Sequence, residues 1–113
     1  MSSSLNFNII PTESFKKQVK KLVKKYPSLI NELYDLSELL RDNPTKGIPL
    51  GNNVFKIRIA IKSKKSGKSS GARVITYVMT LEKEIYLLTI YDKSALDNIS
   101  DKQIESILRE IHK

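Results

Sequence analysis

The chain has 113 residues, with 20 Lys and Arg against 12 Asp and Glu, a formal net charge of +8 and 40% hydrophobic residues. That length supplies one hydrophobic core and requires no second, so a single domain over residues 1–113 is expected. The sequence has no cysteine, which excludes a disulfide framework and a thiolate zinc site. The positive balance favours nucleic acid, an anionic membrane surface or an acidic protein as partner, without choosing among them.

No segment approaches the roughly 20 apolar residues of a membrane span. Met1 to Asn8 has neither a basic start nor an apolar run. The expectation is a soluble, unexported protein in a reducing cytoplasm, with no membrane partner.

In chain order, Leu5 to Ile10 alternates apolar and polar residues and reads as a short strand ended by Pro11. Thr12 is placed to cap a helix whose apolar positions Phe15, Val19, Leu22, Val23 and Tyr26 recur at helical spacing. Lys16, Lys17, Lys20, Lys21, Lys24 and Lys25 cover its other face. Pro27 breaks this helix and Ser28 opens a second, whose stripe of Leu29, Ile30, Leu33, Leu36 and Leu40 stops before Pro44. Helices joined so tightly form an antiparallel hairpin. Asp42 to Asn53 carries Pro44, Gly47, Pro49 and Gly51 and reads as loop.

Three strands then follow, Val54 to Lys62, Ala72 to Tyr77 and Ile85 to Lys93, and the lack of helix-length insertions between them implies antiparallel pairing. In the first, Phe55, Ile57, Ile59 and Ile61 share one face while Lys56, Arg58, Ala60 and Lys62 share the other. A rise of roughly 3.3 Å per residue puts Lys56 and Arg58 about 7 Å apart, the scale of phosphate spacing. The intervening Ser63-Lys64-Lys65-Ser66-Gly67-Lys68-Ser69-Ser70-Gly71 is too polar to pack. Ser100 caps a last helix, Gln103 completes a capping box, and Ile104, Ile107, Leu108 and Ile111 form its apolar face. The expected class is α+β in the order β-α-α-β-β-β-α, a small antiparallel sheet packed by an N-terminal helical hairpin and a C-terminal helix.

Cations on rigid strands suit a phosphate-rich partner, RNA foremost, better than a core in which unpaired charge is costly. RNA is cut without a metal when its 2′-hydroxyl attacks the adjacent phosphate, which needs a base, an acid and cations for the crowded phosphorane. His112 is the single histidine, so a two-histidine solution is unavailable. Neighbouring positive charge lowers a lysine's pKa, which makes Lys56 a candidate base. Arg58 and the fork-shaped Arg73 suit phosphate oxygens. Tyr91 fits stacking on a splayed base or proton transfer, and Lys93 fits phosphate binding or protonation of the leaving group. Residue type and spacing leave the ranking of these roles open.

No acidic cluster has metal-ligand spacing, and Ser66-Gly67-Lys68-Ser69 lacks the preceding glycine of a Walker loop, so neither metal nor cofactor is expected. Lys62, Lys64, Lys65 and Lys68 are candidate RNA contacts, and equally a plain solvated connector. The first helix's lysines read as a solvated face or as a docking surface for RNA. Tyr91 reads also as strand-end packing, and Tyr77 and Tyr86 as core or sheet-surface aromatics.

Lys56-Ile57-Arg58-Ile59-Ala60, the Lys/Gly/Ser loop, Gly71-Ala72-Arg73-Val74-Ile75 and Tyr86-Leu87-Leu88-Thr89-Ile90-Tyr91 with Lys93 stand in the order and approximate spacing of a known pattern. Through them the chain resembles the RelE/HigB family of toxins from bacterial toxin-antitoxin pairs, most closely the HigB branch, across residues 45 to 110. Asn53-Val54-Phe55 departs from the Gly-Leu-Arg of many HigB-like chains, and Asp92 adds a negative charge between Tyr91 and Lys93. The resemblance implies a ribosome-dependent, metal-independent endoribonuclease that cuts messenger RNA in the decoding site. It implies a cognate antitoxin, and with it a toxin-antitoxin hetero-oligomer. Lys56 and Arg58 would be the basic strand residues, Arg73 the arginine of the next strand, and Tyr91 and Lys93 the end of the last. Two other readings stand beside it: a ParE-like poison of DNA gyrase, and a non-catalytic basic RNA-binding module.

Overall fold

The computed structural model describes residues 7–64, 71–96 and 98–112. Its elements are β1 (Asn8–Pro11), α1 (Glu13–Lys25), α2 (Leu29–Asp42), β2 (Ile48–Gly51), β3 (Val54–Ile59), β4 (Ala72–Met79), β5 (Glu84–Asp92) and α3 (Asp101–Ile111). The strands form one sheet in the order β1-β5-β4-β3-β2. The α+β class holds, and the helices begin where the capping residues place them. The Thr12 hydroxyl accepts the Phe15 N–H at 3.1 Å, and Ser100 and Gln103 complete the expected box.

Three features depart from the expected order. The segment from Asp42 to Asn53 is not all loop, because Ile48–Gly51 forms an edge strand whose Ile48 pairs with Lys56 and Pro49 with Phe55. Asn52 and Asn53 turn the chain with φ of 56° and 65°, the left-handed pair that a two-residue hairpin of matching twist requires. Pro49 is tolerated because this strand lies at the sheet's edge. The order is therefore β-α-α-β-β-β-β-α.

The first strand is also shifted. It starts at Asn8 and includes Pro11, and it lies parallel to β5, with Ile9 opposite Ile85; Leu5 and Asn6 lie outside the described residues. Finally, β3 stops at Ile59 rather than Lys62. There the chain bends into a 3-10 turn, Lys62–Lys64, because side chains of α2 and its cap capture its backbone. The Lys62 N–H donates to Glu32 Oε2 at 2.6 Å, and the Ser63 N–H donates to Ser28 Oγ at 3.0 Å.

The sheet carries a buried cluster on each face. On one, Ile57, Ala72, Val74, Val78, Ile85, Leu87 and Ile90 pack with Phe15, Tyr26, Leu29, Leu36 and Leu40 of the helical hairpin. On the other, Val54, Ile75, Leu88 and Tyr91 pack with Ile104 of α3. A register shift at Ile75 and Thr76, which oppose Thr89 and Leu87, inserts Leu88 as an extra residue in β5. The Leu88 carbonyl accepts the Thr12 hydroxyl at 2.8 Å. The residue that caps α1 therefore also pins the bulge, and the bulge puts Thr89 and Tyr91 on the α3 face beside Ile75 and Arg73.

Candidate nucleic-acid interface

The antiparallel register assembles the cationic residues. Arg58 stands directly opposite Arg73, and Arg73 directly opposite Tyr91. These three form one row across β3, β4 and β5, their side chains on the sheet face that α3 partly covers. Lys56 heads the next row, opposite Ile75. Lys93 follows Tyr91 just past the end of β5, where its N–H donates to the Gly71 carbonyl at 3.0 Å. The structure thus brings Lys56, Arg58, Arg73, Tyr91 and Lys93 to one end of the sheet.

The five differ in access. Arg58 is exposed, Lys56 and Lys93 are half-buried, while Arg73 is 4% and Tyr91 8% exposed. Arg73 Nη1 donates to the Ala72 carbonyl at 3.2 Å, so part of its fork holds the strand. The Tyr91 hydroxyl lies 3.5 Å from Asn98 Oδ1, in the segment that leads into α3. Tyr91 is therefore packed beneath that segment, and stacking on a base requires the segment to lift. Of the two readings of Tyr91 left open by the sequence, the structure shows the packing one.

Asp92 does not sit in the row. Strand alternation turns it to the helical-hairpin face, where it is 5% exposed and its Oδ2 accepts the Tyr26 hydroxyl at 3.0 Å. Its Oδ1 accepts the Ser94 N–H at 3.0 Å and the Ser94 hydroxyl at 2.7 Å. The charge that interrupts Tyr91 and Lys93 in sequence is thus directed through the sheet, away from the cations. Sequence reasoning missed this role, although Asp-x-Ser is the spacing of an Asx turn. Gly71, beside the row, is also required: a Cβ there would overlap the Ile59 carbonyl oxygen.

Of the loop lysines, Lys62 is exposed at the anchored base of the loop, whereas Lys65 and Lys68 lie outside the described residues and Lys64 is placed only as the end of the 3-10 turn. All six α1 lysines are exposed. Lys16 pairs with Glu13 at 3.3 Å, and Lys25 lies 5.4 Å from the centroid of the Tyr26 ring. Arg58 also rims a separate groove of about 270 Å³ between α2 and β3, floored by Leu36, Leu39, Ile57 and Ile59. Among the described residues there is no group of three or more His, Cys, Asp or Glu that could hold a metal ion, and no helix is long and apolar enough to cross a membrane.

A family model described as the RelE toxin of the RelE/RelB toxin-antitoxin system matches residues 8–113. The chain belongs to this family of toxins, whose members pair with a cognate antitoxin. The match is to the family as a whole and does not separate its HigB branch. The chain also resembles, with a TM-score of 0.62 at 13% identity, an arginine double mutant of the E. coli toxin RelE in its free state, covering 95% of this chain and 99% of that one. What the two share at that identity is the fold.

Proposed function

We propose that this toxin is a ribosome-dependent endoribonuclease that cuts messenger RNA by attack of a 2′-hydroxyl on the adjacent phosphate, without a metal. The observation that carries this reading is the row of Arg58, Arg73 and Tyr91 across three strands, with Lys56 beside it. Two arginines in register present forked, paired donors to one phosphate. Arg58 and Arg73 clamp the phosphate oxygens and neutralise the charge that grows in the phosphorane. Lys56 takes the proton from the 2′-hydroxyl, and Lys93 supplies one to the departing 5′-oxygen. Tyr91 stacks on the base once the cover from Asn98 to α3 shifts.

The burial of Arg73 and Tyr91 supports dependence on the ribosome. In isolation the site is partly closed, and an RNA-lined cleft that opens it completes the geometry. The decoding site with messenger bound is that cleft, and it places the toxin in the cytoplasm. The cognate antitoxin covers the same cationic end in a hetero-oligomer and keeps it from RNA.

The experiment is cleavage of a defined messenger in a translating extract, mapped by primer extension, beside Arg73→Ala and a ribosome-free sample. Cuts at ribosome-occupied codons that vanish in both controls are expected. An intact messenger would sink the nuclease reading and direct attention to gyrase-dependent DNA breaks, the outcome expected of a ParE-like poison.

A further inference from the structure

We propose that Asp92 is a positioning residue of this site and that Tyr26 holds it in place; the assignment rests on the nuclease reading above. The two residues flanking Asp92 are Tyr91 and Lys93, both in the site, while Asp92 itself faces away from it. A carboxylate in that position is costly unless its oxygens are hydrogen-bonded, and here both are, Oδ2 by the Tyr26 hydroxyl and Oδ1 by the Ser94 N–H and hydroxyl. The same bonds fix where the two flanking residues stand.

Asp92 ends β5 and forms the next turn at the same point. Its carboxylate accepts the Ser94 N–H and hydroxyl, and its carbonyl accepts the Ala95 and Leu96 N–H groups at 3.0 and 2.9 Å. Lys93 is held between this turn and the Gly71 carbonyl, so its backbone has little freedom where the side chain must reach a phosphate. Tyr26 is the C-cap of α1, with its own N–H on the Leu22 carbonyl at 2.7 Å, and it is 8% exposed. The hydroxyl reaching Asp92 Oδ2 at 3.0 Å thus comes from a fixed ring on a different layer. The helical hairpin is coupled through this bond to the end of the strand that carries Tyr91 and Lys93.

A displacement of about 1 Å in a group that acts on the reacting atoms costs on the order of a hundredfold in rate. The test is single-turnover cleavage on programmed ribosomes in excess, measured against ribosome concentration for the unmodified protein, Tyr26→Phe, Asp92→Ala and Asp92→Asn, with a melting curve for each. Tyr26→Phe should lower the maximal rate about tenfold or more while the half-saturating ribosome concentration stays close to that of the unmodified protein; its melting temperature should fall, because Asp92 Oδ2 loses a buried hydrogen bond, with the protein still folded at the assay temperature. Asp92→Ala should lose more. Asp92→Asn, which keeps an oxygen for Ser94 and offers an amide to the Tyr26 hydroxyl, should recover most of the rate lost by Asp92→Ala.

A folded Tyr26→Phe that cleaves at the unmodified rate overturns the proposal. So does a loss of rate that only follows the folded fraction. Absence of cleavage by the unmodified protein overturns the nuclease reading and this assignment with it.

Discussion

Arg58 and Arg73 face one another directly across the β3–β4 ladder, the first exposed and the second 4% exposed. Like charges set directly opposite each other destabilise a sheet. Arg58→Gln should raise the stability of the free protein by a few tenths to about 1 kcal/mol, read as a higher urea midpoint at unchanged slope. The same change should lower messenger cleavage about tenfold or more, the worth of one charge-assisted hydrogen bond. A variant that is no more stable and cleaves normally would refute both parts.

Thr76 gives a test of the core alone. It is completely buried, and its hydroxyl has no hydrogen-bond partner among the described residues. Valine has the same shape without the stranded oxygen, so Thr76→Val should be neutral or stabilise by about 1 kcal/mol. A clear fall in the urea midpoint would mean that the hydroxyl is satisfied after all.

Tyr86 ties stability to alkaline pH. Burial raises its pKa above the ordinary 10.0, and the hydrogen bond to Glu84 together with the charges of Glu84 and Glu82 raises it further. The folded state therefore favours the neutral phenol. This contribution is fully present below the ordinary value and is lost as pH rises through the higher folded one. Melting temperatures of the unmodified protein should fall more steeply above pH 10 than those of Tyr86→Phe. Parallel curves would show that the phenol contributes nothing.

The exposed lysines of α1 lie on the outside of the hairpin layer, whereas Arg58 and Arg73 lie on the opposite face of the sheet. Replacing Lys17, Lys20 and Lys24 by Gln should leave the melting curve unchanged and weaken ribosome binding. The dependence of log K on log salt should become shallower by about 0.7 to 0.9 for each phosphate that the protein no longer neutralises. An unchanged slope would mark this face as merely solvated.

Much of this arrangement is legible in the sequence, for identifiable reasons. Caps and periodicity are local, and so Thr12, Ser100 with Gln103, and the apolar stripes of the helices locate those elements directly. Alternation within β3 is enough by itself to put Lys56 and Arg58 on one face. The β2–β3 hairpin escapes because its proline and glycines have loop composition, while the left-handed Asn52 and Asn53 carry the turn. The burial of Arg73 and Tyr91, and the turning away of Asp92, depend on the register with neighbouring strands and on what covers them. The Tyr26–Asp92 bond links positions 66 residues apart, and no local pattern encodes it.

The bond from Thr12 to Leu88 spans 76 residues, and β1 finds its ladder partner in β5. β1 and α1 therefore wait for β5, the last strand of this sheet in sequence, before they have a sheet to settle on, and such long-range closure is slow to form. A growing chain that lacks β5 has neither Tyr91 nor the scaffold that sets it opposite Arg73. A chain translated only as far as β4 thus has an unfinished sheet, and the row of Arg58, Arg73 and Tyr91 exists only once β5 has been made.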